Sequence, residues 1–81
     1  MSVKVLYFAG LREAMGRSAE SIDLPAGVTT AGALREYLAE RHEAIRVAKN
    51  LRTAINQKMV GLQAPVADGD EVAFFPPVTG G

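Results

Sequence analysis

The fold is decided by residues 68–81, DGDEVAFFPPVTGG. Asp68-Gly69-Asp70 is a strong turn signal, since aspartate hydrogen-bonds nearby backbone and glycine tolerates left-handed geometry. Residues 71–75 combine Val and Phe with an acidic start, which predicts the last β-strand of the domain. Pro76 fixes its own backbone and biases the preceding residue towards an extended conformation. The stretch therefore predicts a turn, a final strand and a stiff exit from the folded body.

The exit segment, residues 76–81, is the first candidate functional element. A proline pair favours polyproline II at about 3.1 Å per residue, so this tail would project roughly 19 Å from a domain of residues 1–75. Gly80 and Gly81 lack a side chain, so another protein can approach their backbone closely. A terminal carboxylate on such a tail can enter a narrow active site. The alternative is a frayed end without a role.

Composition limits the partners and the chemistry. The chain has 81 residues, nine basic and nine acidic, which predicts one small domain. No basic stripe interleaves with aromatic residues, so nucleic acid is not expected as a partner. The apolar runs are far shorter than a membrane span and the first residues do not form a signal peptide, so we expect no membrane partner and a cytoplasmic location. There is no cysteine, which excludes disulfides and thiolate chemistry.

Alternation and turn signals predict the remaining elements. A short helical turn is expected between Gly10 and Gly16, and Thr30 is a plausible N-cap for a helix that runs to about Glu43. Strands are predicted at 3–9, 20–24, 51–55, 59–60 and 71–75, with a tight turn at 56–58. The order β-β-α-β-β-β predicts the α+β class, with one main helix packed across one face of a mixed sheet. We expect the first and last strands to pair in parallel.

Charged residues fix which face of each strand is outward, because side chains alternate across a strand. Lys4 should face water, which places Leu6 and Phe8 outside and Val3, Val5, Tyr7 and Ala9 inside. Glu71 likewise places Ala73 and Phe75 outside, with Val72 and Phe74 inside. If the two strands are neighbours, Phe8 and Phe75 form an apolar patch at the root of the tail, which is typical of a partner site. The alternative is that the strands bend and both rings lie under a loop.

No constellation in the chain makes a self-sufficient active site. His42, the only histidine, lies in a charged helical run and is predicted to be solvated. Asp68 and Asp70 are explained by their turn and are too few to bind calcium, so no metal site is expected. Ser18 and Ser21 have no predicted base. Arg12 follows Phe8 closely and belongs either to the rim of the patch or simply to the solvated surface.

The sequence resembles the small, sulfur-carrier subunit of molybdopterin synthase, a family of ubiquitin-like β-grasp proteins. The resemblance covers nearly the whole chain. Its final fourteen residues are the specific part, while the middle matches only in pattern. The matching segments are Lys4–Ala9, Leu11–Glu13, Ala54–Gln57 and Asp68–Gly81.

This resemblance implies a cycle of loading and delivery. An E1-like adenylating enzyme uses ATP to activate the carboxylate of Gly81, and a sulfur donor protein converts it to a thiocarboxylate. The loaded Gly80-Gly81 end enters the large synthase subunit and gives sulfur to cyclic pyranopterin monophosphate, in molybdenum cofactor biosynthesis. The carrier itself is expected to be non-catalytic and to hold no permanent cofactor. A thiocarboxylate also needs no cysteine.

The resemblance further implies a partner surface, and it leaves rival functions open. Met59 belongs to this surface by resemblance alone. A sulfur carrier for thiazole synthesis would use the same loading chemistry with another acceptor. A protein modifier would be joined through Gly81 to lysines, and an interaction module would have an idle tail. The residues expected at the partner surface are Phe8, Arg12, Met59, Phe75, Pro76, Pro77, Val78 and Thr79.

Overall fold

The computed structural model describes residues 2–76, and the predicted tail from Pro77 to Gly81 lies outside the described residues. The boundary between a domain of residues 1–75 and a tail of residues 76–81 therefore stays a prediction. No helix in the described part is long and apolar enough to cross a membrane. The elements in chain order are β1 (Ser2–Tyr7), α1 (Ala9–Met15), β2 (Ala19–Asp23), α2 (Ala31–Arg41), α3 (Glu43–Val47), β3 (Arg52–Ile55), β4 (Lys58–Val60) and β5 (Glu71–Phe75).

The strands form one mixed sheet in the order β2-β1-β5-β3-β4. The first and last strands pair in parallel, while the other neighbours are antiparallel. A parallel pair needs a long crossover, and the chain between β1 and β5 contains the helices that provide it. The predicted α+β class, the mixed sheet and the parallel central pair are all confirmed.

The core lies between the inner face of the sheet and α2. Leu34 and Leu38 of α2 are completely buried, as are Val72 and Phe74 of β5. Burial of apolar surface at about 25 cal/mol per Å² provides the main driving force for this packing. The helix begins as predicted, because the Thr30 Oγ1 accepts a hydrogen bond of 3.1 Å from the Ala33 N–H.

The predicted helix to Glu43 is interrupted. α2 ends at Arg41, since His42 adopts an extended backbone with φ −132° and ψ 113°. A second short helix, α3, then buries Ile45. The apolar spacing runs on through this break because both helices cover the same core, so the sequence pattern alone predicts one helix.

The start of α1 also differs from the prediction. β1 ends at Tyr7, and Ala9 is the first residue of α1, with a positive φ of 55°. The chain therefore leaves the sheet before Ala9, which is exposed instead of facing the core. The assignment of Ala9 to the inner face is wrong, because alternation holds only while the strand continues.

Two tight turns fix the position of β5. Asn56 and Gln57 both have positive φ, 50° and 71°, as a two-residue turn of type I′ requires. The Asn56 Oδ1 accepts a 3.1 Å hydrogen bond from the Glu71 N–H, and its Nδ2 donates to Asp70 at 3.0 Å. Asp70 also accepts from the Ala67 N–H at 2.8 Å. The turn predicted at 56–58 is confirmed for Asn56 and Gln57, while Lys58 already begins β4. The turn predicted at 68–70 is confirmed as well, and hydrogen bonds between the two turns hold β3 and β5 together.

Candidate protein-binding site at the exit of the last strand

The outer face of the sheet, opposite α2, carries an apolar row that crosses four strands. Pairing aligns Leu6 with Ala73, Ala73 with Ala54, and Ala54 with Met59. These side chains therefore point to the same face. Lys4 and Glu71 are paired two residues earlier, so they share that face, as predicted. The register also assigns Met59 to the outer face, which the sequence could not do.

Phe8 and Phe75 meet at one end of this face. Their ring centroids are 6.5 Å apart with an interplanar angle of 77°, an edge-to-face pair. Phe8 is 45% exposed, whereas Phe74, one residue before Phe75, is completely buried. The predicted aromatic patch is confirmed, and the alternative that both rings lie under a loop is wrong.

The patch opens into a concavity of about 560 Å³, which we call the outer-face concavity. Its floor is formed by Ala54 and Ala73, each 9% exposed, and Phe8 and Phe75 line it on one side. Glu71 is its one charged lining residue among those that the structure describes. The lining residues are Leu6, Phe8, Ala9, Ala54, Gln57, Glu71, Ala73, Phe75 and Pro76.

Arg12 and Met59 lie outside that lining. Arg12 is exposed on α1, one turn after Phe8, and its N–H donates a 3.3 Å hydrogen bond to the Phe8 carbonyl. Met59 is 59% exposed on the edge strand β4. Both residues therefore lie outside the concavity, and each is next to a residue of its lining, Phe8 for Arg12 and Ala54 for Met59.

Pro76 connects the concavity to the tail. It follows the end of β5 directly and lines the concavity beside Phe75. Any protein that encloses the chain beyond Pro76 therefore lies next to this apolar surface. Pro77, Val78, Thr79, Gly80 and Gly81 lie outside the described residues, so their roles stay predictions.

A cluster of titratable groups lies on the inner face of the sheet, on the side opposite the concavity. The Tyr7 hydroxyl donates a 2.6 Å hydrogen bond to Glu20 Oε2, and His42 Nε2 lies 3.2 Å from the same oxygen. Arg17 approaches the other carboxylate oxygen at 3.4 Å. Burial raises the pKa of Tyr7 far above its ordinary value, and the hydrogen bond and the charge of Glu20 raise it further.

This cluster corrects the prediction for His42, which is half-buried against Glu20 and not simply solvated. The contact joins β2 to the break between α2 and α3, so it has a structural explanation. Within residues 2–76 there is no group of three or more His, Asp or Glu side chains that could hold a metal ion.

Comparison with known proteins gives a match over almost the whole chain. A sequence model of the ThiS family matches residues 5–81. A molybdopterin synthase sulfur carrier subunit from Escherichia coli is 44% identical over 82 residues, which cover 98% of this chain and 99% of that protein.

Solved structures agree with the fold. SAMP1 from Haloferax volcanii superposes with a TM-score of 0.81 at 31% identity, over all of both chains. A chain in the complex of subunits 1 and 2 of the molybdopterin-converting factor from Helicobacter pylori gives a TM-score of 0.71 at 26% identity, again with full coverage. These neighbours confirm the ubiquitin-like β-grasp fold.

Proposed function

Because this chain belongs to the ThiS family and matches a molybdopterin synthase sulfur carrier subunit over nearly its whole length, we propose that it carries sulfur for molybdopterin synthesis. The sulfur is held as a thiocarboxylate on Gly81. The observation that carries this proposal is the full-length match, combined with an apolar concavity where the tail begins.

Loading of the tail proceeds in two steps. A carboxylate is a poor electrophile, so an E1-like adenylating enzyme joins the Gly81 carboxylate to the AMP part of ATP and releases pyrophosphate. Sulfide-level sulfur from a sulfur donor protein then attacks the acyl carbon and displaces AMP. The product is a soft nucleophile on a chain that contains no cysteine.

Delivery of the sulfur takes place inside the large subunit. The thiocarboxylate sulfur attacks a side-chain carbon of cyclic pyranopterin monophosphate and displaces an oxygen substituent from that carbon. Water then hydrolyses the resulting thioester, which leaves the sulfur on the pterin and restores the Gly81 carboxylate. A dithiolene contains two sulfur atoms, so two loaded carriers act for each product.

In this proposal the carrier leaves catalysis to its partners. Gln57 and Glu71 provide the polar side chains of the outer-face concavity, and Glu71 is the ionisable group in its described lining. General acid–base catalysis needs a proton-transfer group within hydrogen-bond reach of the reacting atoms. We assign that chemistry, and the use of ATP, to the partner enzymes.

The large subunit is the proposed partner of the outer-face concavity. The Helicobacter pylori neighbour was solved as a complex of subunit 1 with subunit 2. In this chain the exposed Phe8 and the adjacent Phe75 offer an aromatic surface beside Pro76. Aromatic residues are enriched at interfaces and dominate their energetics, so this surface suits a stable contact.

Intact mass spectrometry tests the proposal. Incubation with the adenylating enzyme, ATP and sulfide should replace one oxygen of the wild-type chain by sulfur. A variant with one residue added after Gly81 should stay unloaded, while its melting temperature equals that of the wild type. Sulfur gained by the extended variant, or wild-type protein that never gains it, would refute the proposal.

Two rival functions share the loading chemistry. The fold likeness to SAMP1, a small archaeal modifier protein, favours a protein modifier as the second candidate. High-mass conjugates on immunoblots of cells would support the modifier. A thiazole carrier would instead fail to co-purify with a molybdopterin synthase large subunit.

A further inference from the structure

The floor of the outer-face concavity has an unusual composition. Ala54 and Ala73 lie directly opposite each other on β3 and β5, in the interior of the sheet. Alanine is depleted in strands because it offers little surface for packing. In this row the alanines are flanked by the larger Leu6 and Met59. The side chains at the centre of the apolar row therefore rise less far above the sheet than those on either side.

The dimensions of the floor restrict what can enter. Side chains of a directly opposed pair are about 4.5–5.5 Å apart, so the two alanines leave a depression of one residue pair. Phe8 and Phe75 stand on one side, and their rings hold each other in an edge-to-face contact. The depression is a small part of the concavity of about 560 Å³, and it has the size of one inserted side chain, which the flat face of a helix would leave unfilled.

The lining of the outer-face concavity carries a charge at one described position, Glu71. Glu71 forms no ion pair within the part of the chain that the structure describes, although Lys4 is its register partner on β1 and shares its face. Its backbone N–H and carbonyl are both bonded to Asn56, which fixes the place from which the carboxylate projects. A partner that covers the concavity would bring this carboxylate out of water, and an unpaired buried charge is costly.

We propose that the outer-face concavity receives one bulky apolar side chain of the large subunit, with a cationic group of that subunit beside Glu71. The inference rests on the proposed function, because it specifies the chemistry of the same interface. The floor and the aromatic side offer no hydrogen-bonding groups, so an aliphatic or aromatic side chain fits and a polar one does not. Buried anchors of this kind dominate the energetics of interfaces.

The position of Pro76 links this anchor to the tail. Pro76 belongs to the lining, so a protein that encloses the following residues already lies over the concavity. Once the tail is bound, insertion of the anchor becomes an intramolecular event with a high effective concentration. Ala54 and Ala73 then become specificity determinants, since a partner without the matching side chain leaves the depression empty.

Filling the floor tests the anchor. We would measure the affinity of Ala73→Leu and of the smaller Ala73→Val for the large subunit by titration calorimetry, with melting temperatures to confirm folding. Overpacking a fitted site should weaken binding about tenfold or more for Ala73→Leu and less for Ala73→Val. The matched control is Ala19→Leu, which adds the same side chain to the same row, opposite Leu6 but outside the concavity.

Charge variants test the cationic group. Glu71→Gln should weaken the complex several-fold and Glu71→Lys more strongly, and both should reduce the dependence of binding on salt. Tighter binding by Glu71→Lys would show an anionic group in the partner and overturn that half of the inference. If Ala73→Leu does not fold, the smaller Ala73→Val decides on the anchor, and wild-type affinity of folded Ala73→Val would then overturn it.

The outcomes separate the inference from the proposed function. If wild-type protein forms no complex with the large subunit, the proposed partner is wrong. If the complex forms and folded Ala73→Leu binds as tightly as the wild type, the anchor is wrong while the carrier function stands. If Ala73→Leu alters self-association in sedimentation and leaves binding to the large subunit unchanged, the occupant is a second copy and the inference is overturned.

Discussion

Phe74 and Phe75 are neighbours in the sequence and should respond to truncation in opposite ways. Phe74 is completely buried in the core. Phe75 points to the outer face and pairs with the exposed Phe8. We predict that Phe74→Ala damages the fold, and that Phe75→Ala chiefly damages binding to the large subunit.

The magnitudes follow from burial. Truncation of a fully buried phenylalanine costs about 3–5 kcal/mol, and a small domain has about 5–15 kcal/mol in total. At about 4–8 °C per kcal/mol, Phe74→Ala should lower the melting temperature by at least ~12 °C. Phe75 is half-buried and would lose part of its burial energy and an aromatic pair, about 1–2 kcal/mol together. As a hot-spot residue it should cost at least ~2 kcal/mol of binding, or roughly thirtyfold.

Urea unfolding followed by circular dichroism gives the stability of each variant, and calorimetry with the large subunit gives its affinity. Phe8→Ala serves as the matched control, since it removes the other ring of the pair. It should resemble Phe75→Ala in both assays. Equal destabilisation by Phe74→Ala and Phe75→Ala would refute the assignment of faces, and undiminished affinity of Phe75→Ala would refute the binding site.

Two further predictions concern the inner side of the sheet. Thr53→Val should stabilise the protein by about 1 kcal/mol in urea unfolding, because the buried Thr53 Oγ1 has no hydrogen-bond partner among residues 2–76; a loss of stability would contradict this. The pKa of the Tyr7 hydroxyl is raised from 10.0 in the fold, so the contribution of Tyr7 to the free energy of unfolding is complete below pH 10. It is lost above pH 10, where only the unfolded state releases the proton, at about 1.4 kcal/mol per pH unit. The free energy of unfolding of Tyr7→Phe should not fall in this way above pH 10. Equal falls in the two proteins would contradict the prediction.

The sequence was sufficient for the architecture because the deciding signals are local. Alternation around Lys4 and Glu71 gave the outward face of β1 and β5, and turn residues gave the ends of the strands. The parallel pairing of these strands then brought Phe8 to Phe75, as predicted. Local propensity and the global fold agree here, as they do in sequences that fold to one structure.

The parts that were missed depend on contacts between distant residues. Ala54 became a floor residue only because the register sets it against Ala73, and neither alanine is distinctive in sequence. His42 was misjudged because its partner, Glu20, lies on another element. Ala9 was misplaced because its left-handed backbone ends the alternation. The one available signal was the presence of small residues at predicted central-strand positions on an outer apolar face. A search for that pattern would have found the alanine floor.

The chemistry of the tail explains why the binding surface has to lie on the folded domain. Gly80 and Gly81 can enter a narrow channel because they have no side chains, but for the same reason they bury little apolar area. Ordering each residue costs about 1–2 kcal/mol, so a tail of this composition contributes little net affinity. The partner must gain its binding energy elsewhere and close enough to direct the tail, and the apolar concavity that begins at Pro76 meets both conditions. In the proposed function, a carrier that is loaded by one enzyme and discharged in another thus keeps its reactive end unspecific, while we propose that Phe8, Phe75 and the alanine floor select the partner.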